Sequence, residues 1–171
     1  FEAGAPPPEE ALAQLPVLIG IAGRPDRVSL RFDPILFWRE RGTIRSNLPL
    51  FGRIADAAAE NGVRDIRMSF AQWYRKARTR ASTRGLDFVD PPDEEKRSRT
   101  AALAREARRS GLNLLACAQP FLAEVEGVLP SACIDGRLLQ DLHPFHEPAS
   151  TRKDAGQRSG CRCTESLDIG S

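Results

Sequence analysis

Apolar and polar residues alternate strictly in two short segments of the chain, residues 27–33 and 65–70. Alternation with a period of two is typical of a β-strand, because successive side chains of a strand point to opposite faces. Pro34 follows the first segment and predicts its end, since proline lacks the N–H that a strand donates. We therefore predict two strands whose apolar faces consist of Val28, Leu30, Phe32, Ile66, Met68 and Phe70.

Helical periodicity fills the intervals around these strands. The helix predicted over residues 46–62 begins at Ser46, a good N-cap residue, and ends at Gly62, which suits the position after the last turn. Its apolar stripe consists of Leu50, Phe51, Ile54, Ala55 and Ala58. The other predicted elements are an initial helix from Pro8 with a kink or restart at Pro16, an arginine-rich helix through Trp73 and Tyr74, a helix over 94–110, a strand over 112–117 and a short helix over 137–142.

The order strand, helix, strand, helix, strand predicts βα units on a parallel sheet with right-handed crossovers. A parallel sheet covered by helices on both faces is apolar almost throughout. Here, the second face of the first two strands is polar, which fits either the lumen of a closed or partly closed barrel or a sheet with one wet face. In a barrel, the carboxyl ends of the strands form the ligand-binding site. We predict that one face carries Ser29, Arg31, Asp33, Arg67 and Ser69, with Asp33 and Ser69 near its carboxyl edge.

Regular periodicity fades from Pro130 onward. We predict a single domain over residues 1–171, in which residues 130–171 form a mostly irregular tail that carries cysteines. The four cysteines of the chain are Cys117, Cys133, Cys161 and Cys163. Their spacing matches no standard zinc finger or ferredoxin run. They either converge on one metal centre or are buried thiols with a coincidental Cys-x-Cys pair.

Composition narrows the class of protein. Of 171 residues, 41% are hydrophobic and 28% are charged, as in ordinary globular proteins. No apolar run approaches the roughly 18 residues that cross a bilayer, so we expect no membrane partner. The first residues lack the features of a secretory signal, so we expect an internal start and a cytoplasmic protein. In a reducing compartment, cysteines serve metal ligation or catalysis more often than disulfide bonding.

Charge is uneven along the chain, although the net charge is only +2. Residues 64–109 contain 13 Lys and Arg against 7 Asp and Glu, an excess of +6. Such a stretch either binds the phosphates of nucleic acid or coats the solvent face of helices. Because the excess is modest and no aromatic-rich strand platform accompanies it, we expect at most weak, salt-dependent binding of nucleic acid.

Four segments together resemble a known family. They are Arg-Phe-Asp-Pro-Ile at 31–35, Ser-Phe at 69–70, Ala-Cys-Ile-Asp at 132–135, and the block at 157–170 that contains Gln157, Arg158, Cys161, Cys163, Ser166 and Asp168. These segments resemble domain-of-unknown-function family 1848, a bacterial family similar to radical S-adenosylmethionine proteins and to proteins labelled DNA-repair photolyases or spore-photoproduct-lyase-like. The similarity covers most of the chain, and the last block is its most specific part.

This resemblance implies a fragment of a (β/α) barrel of the radical S-adenosylmethionine type. In that family a Cys-x-x-x-Cys-x-x-Cys segment follows the last block and holds a four-iron cluster that binds S-adenosylmethionine. That motif is absent from the sequence, and we expect the first barrel strand or strands to be missing as well, so the chain by itself is expected to be inactive. The resemblance implies substrate-binding roles for Arg31, Asp33, Arg67, Ser69, Asp135, Gln157, Arg158 and Asp168.

The cysteines are expected to hold a centre distinct from that cluster. Four thiolates suit an iron–sulfur cluster, which the resemblance favours, or zinc, and we predict the ligands as Cys117, Cys133, Cys161 and Cys163. Two other functions stay open. One is a non-catalytic domain with a structural four-cysteine zinc site, and the other is a nucleic-acid-binding module that uses residues 64–109.

Overall fold

A four-stranded parallel sheet forms the centre of the computed structural model, which describes residues 6–166 apart from the side chain of Lys76. The strands are β1 (Leu30–Ile35), β2 (Phe37–Glu40), β3 (Thr43–Ser46), β4 (Asp65–Phe70), β5 (Phe88–Val89), β6 (Asn113–Cys117) and β7 (Val128–Ser131). The helices are α1 (Pro8–Ala13), α2 (Leu15–Ala22), α3 (Phe51–Glu60), α4 (Arg75–Thr83), α5 (Asp93–Arg109) and α6 (Gly136–Leu142).

The central sheet has the order β1-β4-β6-β7, and all its neighbouring strands are parallel. The predicted mixed α/β class with a parallel sheet is therefore confirmed. Strand β4 spans the predicted residues, and β7 is a fourth strand in a region where periodicity predicts no regular element. Strand β7 contains Pro130, which an edge strand tolerates because its outer N–H groups have no partner strand.

Strand β1 corrects the predicted boundary at Pro34. The strand continues through this proline to Ile35, and its register with β4 shifts between Phe32 and Ile35. The peptide bond between Asp33 and Pro34 is cis. Because β1 lies at the other edge of the sheet, the missing N–H of Pro34 interrupts the ladder locally without ending the strand.

The helix predicted over residues 46–62 is too long at its start. Residues 37–46 instead form the hairpin β2–β3, which with β5 makes a second, antiparallel sheet. The hairpin turns at Arg41 and Gly42, whose φ angles of 49° and 80° are those of a two-residue turn between twisted strands. Ser46 pairs with Phe37 rather than capping a helix. The restart at Pro16 is confirmed, because α1 ends at Ala13 and α2 begins at Leu15.

Helices α3 and α5 cover the apolar face of the central sheet. Phe51 of α3 is fully buried, and its ring centroid lies 5.5 Å from that of Phe32 on β1. Leu103 and Ala107 of α5 belong to the same core as Ile66, Met68 and Leu114 of the central strands. The helices thus fix one face of the sheet and leave the polar face to the segments that follow β7. Among the helices within residues 6–166, none is long and apolar enough to cross a membrane.

Candidate functional site at the carboxyl edge of the sheet

Strand register places the predicted polar residues on one face. Arg31 of β1 pairs with Arg67 of β4 in a parallel ladder, and paired residues of such a ladder share a face. The guanidinium of Arg31 donates to the carboxylate of Asp33, and the hydroxyl of Ser69 donates to the other carboxylate oxygen. The prediction that Arg31, Asp33, Arg67 and Ser69 share a face is therefore confirmed, and Asp33 and Ser69 lie towards the carboxyl ends of β1 and β4.

This face is covered along β4, whereas Arg31 on β1 is exposed. Arg67 is 7% exposed, and its guanidinium donates to the hydroxyl of Ser29 and, at 3.2 Å, to the carbonyl of Ala132. A buried cation needs such acceptors, because removing a charge from water without partners is costly. Ala132 directly follows β7, so the tail of the chain closes over the polar face.

The tail is held together by contacts between its two cysteine-bearing segments. The backbone N–H of Cys133 donates to the sulfur of Cys163 at 3.2 Å, and that of Ile134 donates to the same sulfur at 3.5 Å. The N–H of Thr164 donates to the carbonyl of Ile134 at 3.0 Å, and the hydroxyl of Thr164 accepts from the N–H of Gly136 at 3.1 Å. Residues 161–164 are thereby fixed against residues 133–136.

All four cysteines lie in this region. Cys117 ends β6, and its sulfur is 3.3 Å from the sulfur of Cys133. Cys117, Cys161 and Cys163 are buried in one cluster with Ala118, whereas Cys133 is exposed. The guanidinium of Arg31 donates to the sulfur of Cys133 at 2.7 Å. Arg31 therefore bridges the carboxylate of Asp33 and the thiol pair.

The two contacting thiols differ in acidity. A hydrogen bond from Cys117 and the adjacent Arg31 guanidinium lower the pKa of Cys133 to about 5. The same hydrogen bond, together with burial, raises the pKa of Cys117 well above its ordinary value. Burial also raises the pKa of Cys163. The two shifts run in opposite directions, so Cys133 is the more acidic thiol of the pair.

Four cysteine sulfurs are the donor set that soft metals prefer. Within residues 6–166, however, no group of three or more histidine, cysteine, aspartate or glutamate side chains is placed to hold a metal ion. The geometry thus shows a close pair of thiols with two further thiols nearby. A four-cysteine centre, whether iron–sulfur or zinc, stays a prediction.

A cavity of about 360 Å³ opens beside Asp33 and Ser69. Arg158 lies on its wall, where its guanidinium donates to the side-chain oxygen of Gln72 at 3.2 Å. The hydroxyl of Tyr74 donates to the same oxygen at 2.5 Å. Among the described residues Arg158 has no carboxylate partner, unlike Arg31. The remaining wall residues are Pro34, Leu36, Phe70, Ala71 and Trp73.

Two polar groups at the same edge have contrasting environments. Gln119 is buried, and its amide accepts from the N–H of Phe70 at 2.7 Å and donates to the carbonyl of Phe70 at 3.3 Å. It ties the chain after β6 to the end of β4. Ser131, which pairs in register with Cys117, has a buried hydroxyl that finds no hydrogen-bond partner within residues 6–166.

The other predicted substrate residues are not gathered at this cavity. The carboxylate of Asp135 caps α6 by accepting from the N–H groups of Arg137 and Leu138. Gln157 is exposed and donates to Asp154 at 3.1 Å. Asp168 lies outside the described residues. Three further residues at this edge, Gln72, Tyr74 and Gln119, were not predicted from the sequence. Their position just after the carboxyl ends of β4 and β6 is the signal that could have identified them.

Comparison with known proteins adds one match. The family model described as a domain of unknown function, family 1848, matches residues 1–171. No curated protein and no solved structure matches the chain.

Proposed function

Because the chain belongs to domain-of-unknown-function family 1848, we propose that it is part of a (β/α) barrel of the radical S-adenosylmethionine type. On this proposal, the carboxyl edge of its sheet binds the substrate of the intact enzyme. The strand order supports the barrel, because the four parallel strands follow one another in space in the order they follow in the chain. A doubly wound sheet would reverse that order at a switch point, whereas a barrel does not.

In such enzymes S-adenosylmethionine and an iron–sulfur cluster supply the radical, and the protein binds and orients the substrate. No Cys-x-x-x-Cys-x-x-Cys motif occurs in these 171 residues. The role that we propose for the carboxyl edge of the sheet is recognition of that substrate.

The observation that carries the proposal is Arg158, a cation on the wall of the cavity at this edge that forms no ion pair among the described residues. Arg158 contacts only neutral acceptors among the described residues, and Arg31 already pairs with Asp33. A guanidinium in this state favours an oxyanion, since carboxylate and phosphate accept two parallel N–H bonds from it. The aromatic and aliphatic wall residues favour an apolar body attached to that oxyanion. We infer a small organic carboxylate or phosphate as the substrate class.

Phenyl phosphate is a suitable probe, with inorganic phosphate as the comparison that lacks the apolar body. Arg158→Gln is expected to weaken binding of phenyl phosphate about 10- to 100-fold, because a hydrogen bond to a charged group contributes roughly 1.5–3 kcal/mol. Isothermal titration calorimetry on the full chain measures this. Tyr74→Phe, which keeps the ring, is expected to have the smaller effect of a lost neutral hydrogen bond.

Arg152→Gln is the matched control, because Arg152 lies on the same tail, is exposed and pairs with Glu165 outside the cavity. It removes the same charge and should leave the affinity within about twofold, since exposed charges are screened. Equal weakening by both variants, or binding of phenyl phosphate no tighter than that of inorganic phosphate, would show that the cavity is not the site.

A further inference from the structure

The contact between Cys117 and Cys133 has the features of a reactive dithiol. Cys133 is exposed, whereas Cys117 is buried at the end of β6. Their sulfurs are 3.3 Å apart, and a disulfide requires about 2.05 Å. Both residues are held in place, Cys117 by the parallel ladder and Cys133 by its N–H bond to Cys163. The thiols can therefore be joined by a small movement of one side chain.

Arg31 contacts the exposed member of the pair. Its guanidinium donates to the sulfur of Cys133 at 2.7 Å, so this sulfur combines an exposed position with an adjacent positive charge. The same guanidinium is anchored by the carboxylate of Asp33. Cys117, in contrast, has no cation in hydrogen-bond contact among the described residues. Cys133 is thus placed to react with an oxidant, and Cys117 is placed to form a disulfide with the oxidised Cys133.

We propose that Cys133 and Cys117 form a redox site at which a hydroperoxide oxidises the pair to a disulfide. The sulfur of Cys133 attacks the terminal peroxide oxygen, so that a sulfur–oxygen bond forms and the oxygen–oxygen bond breaks. The leaving alkoxide or hydroxide takes up the proton that the Cys133 thiol releases, and Cys133 becomes a sulfenic acid. The sulfur of Cys117 then attacks that of Cys133, and the departing hydroxide takes the Cys117 proton and leaves as water. Two thiols lose two electrons, and the hydroperoxide is reduced to an alcohol, or to water when it is hydrogen peroxide.

This inference is independent of the cavity at Arg158 and makes a different prediction from a four-cysteine metal centre. A metal bound by all four sulfurs would protect all four from oxidation. Oxidation of a dithiol site would instead remove two free thiols and leave Cys161 and Cys163 reduced. The side chain of Cys163 also interacts with that of Cys133, but its sulfur already accepts the backbone N–H groups of Cys133 and Ile134, whereas the sulfur of Cys117 lies 3.3 Å from that of Cys133. The disulfide is therefore expected to form with Cys117.

The test uses the full chain, purified anaerobically, with its iron and zinc content measured, and then treated with one equivalent of hydrogen peroxide. Free thiols are expected to fall from four to two, and peptide mapping is expected to find a 117–133 disulfide that dithiothreitol reverses. Cys117→Ser should stop the reaction at the sulfenic acid of Cys133, which dimedone captures. Arg152→Gln is the control, because it removes an exposed guanidinium that pairs with Glu165 on the same tail, and it should leave the 117–133 disulfide unchanged.

A second variant keeps the test decisive if a cysteine variant fails to fold. Arg31→Gln is expected to slow the loss of thiols about tenfold at pH 7, and Arg31→Lys is expected to restore part of the rate, because thiolate stabilisation needs the charge. Stoichiometric metal with four protected thiols would overturn the proposal. So would a disulfide that joins any other pair, or a rate that does not change in Arg31→Gln.

Discussion

Arg31 links the two halves of the site, because one guanidinium contacts both the carboxylate of Asp33 and the sulfur of Cys133. The pKa of Cys133 therefore depends on its contacts with Arg31 and Cys117. In reduced, metal-free protein, the rate of alkylation of Cys133 by iodoacetamide is expected to rise through pH 5 and to level off above about pH 6. A lowered pKa keeps the thiolate populated down to that pH.

Peptide-level mass spectrometry across a pH series measures this profile. Cys117→Ala should move the midpoint upward most, because the hydrogen bond from Cys117 is the largest cause of the lowered pKa, and Arg31→Gln should move it upward less. A midpoint between pH 8 and 9 in the unmodified chain, as in an ordinary thiol, would contradict the assigned geometry.

Gln119 is the residue whose loss should disturb the carboxyl edge most directly. Its amide is the partner of both the N–H and the carbonyl of Phe70. Gln119→Ala leaves these buried groups unpaired, which is expected to lower the free energy of unfolding by about 1–3 kcal/mol. Urea denaturation measures the loss, and the exposed Gln14→Ala serves as the control. Equal stability of the two variants would show that Phe70 finds other partners.

At the scale of elements, the packing of α3 on β1 supports the face of the sheet opposite the site. Phe51 is fully buried against Phe32, so Phe51→Ala is expected to lower the free energy of unfolding by about 3–5 kcal/mol through lost burial and a cavity. Phe145→Ala removes the same side chain where it is 81% exposed and should change stability by less than about 0.5 kcal/mol. Thermal or urea unfolding of both variants checks the contrast.

Elements with a strong local pattern could be predicted from the sequence. Strand β4 agrees at both ends because Ile66, Met68 and Phe70 alternate with polar residues and no proline intervenes. The hairpin β2–β3 was missed because its turn is Arg41-Gly42, a weaker signal than Asn-Gly or Asp-Gly. Strand β7 was missed because Pro130 lies within it, and only its position at the sheet edge makes that proline acceptable.

The part of the candidate site that lies on regular strands could also be predicted from the sequence. Alternation on β1 and β4 predicts the shared face of Arg31 and Arg67, because period and strand order are local properties. The contact between Cys117 and Cys133 depends on the path of the chain after β7. No periodic pattern of apolar residues predicts that path. The contact between Arg158 and Gln72 joins positions 86 residues apart and depends on the same path.

At the scale of the whole molecule, the +6 excess of residues 64–109 is partly neutralised by ion pairs with acidic residues outside that stretch. Arg97 pairs with Glu124 and Arg108 with Glu126. We therefore expect single-stranded DNA of 20 nucleotides to bind with a Kd of about 10⁻⁶ M or weaker at physiological salt, and more weakly as salt rises. Fluorescence anisotropy at several salt concentrations measures this. Tight binding that persists at physiological salt would favour the nucleic-acid-binding alternative.

The central claim is that the carboxyl edge of the parallel sheet is where this molecule meets its ligand. The most direct measurement is a two-dimensional amide NMR titration of the ¹⁵N-labelled chain with phenyl phosphate. Shifts are expected for residues 69–74 and for Arg158, with little change at the opposite edge around Gly62 and Asn113. Shifts confined to the helices α4 and α5, or to that opposite edge, would contradict the account.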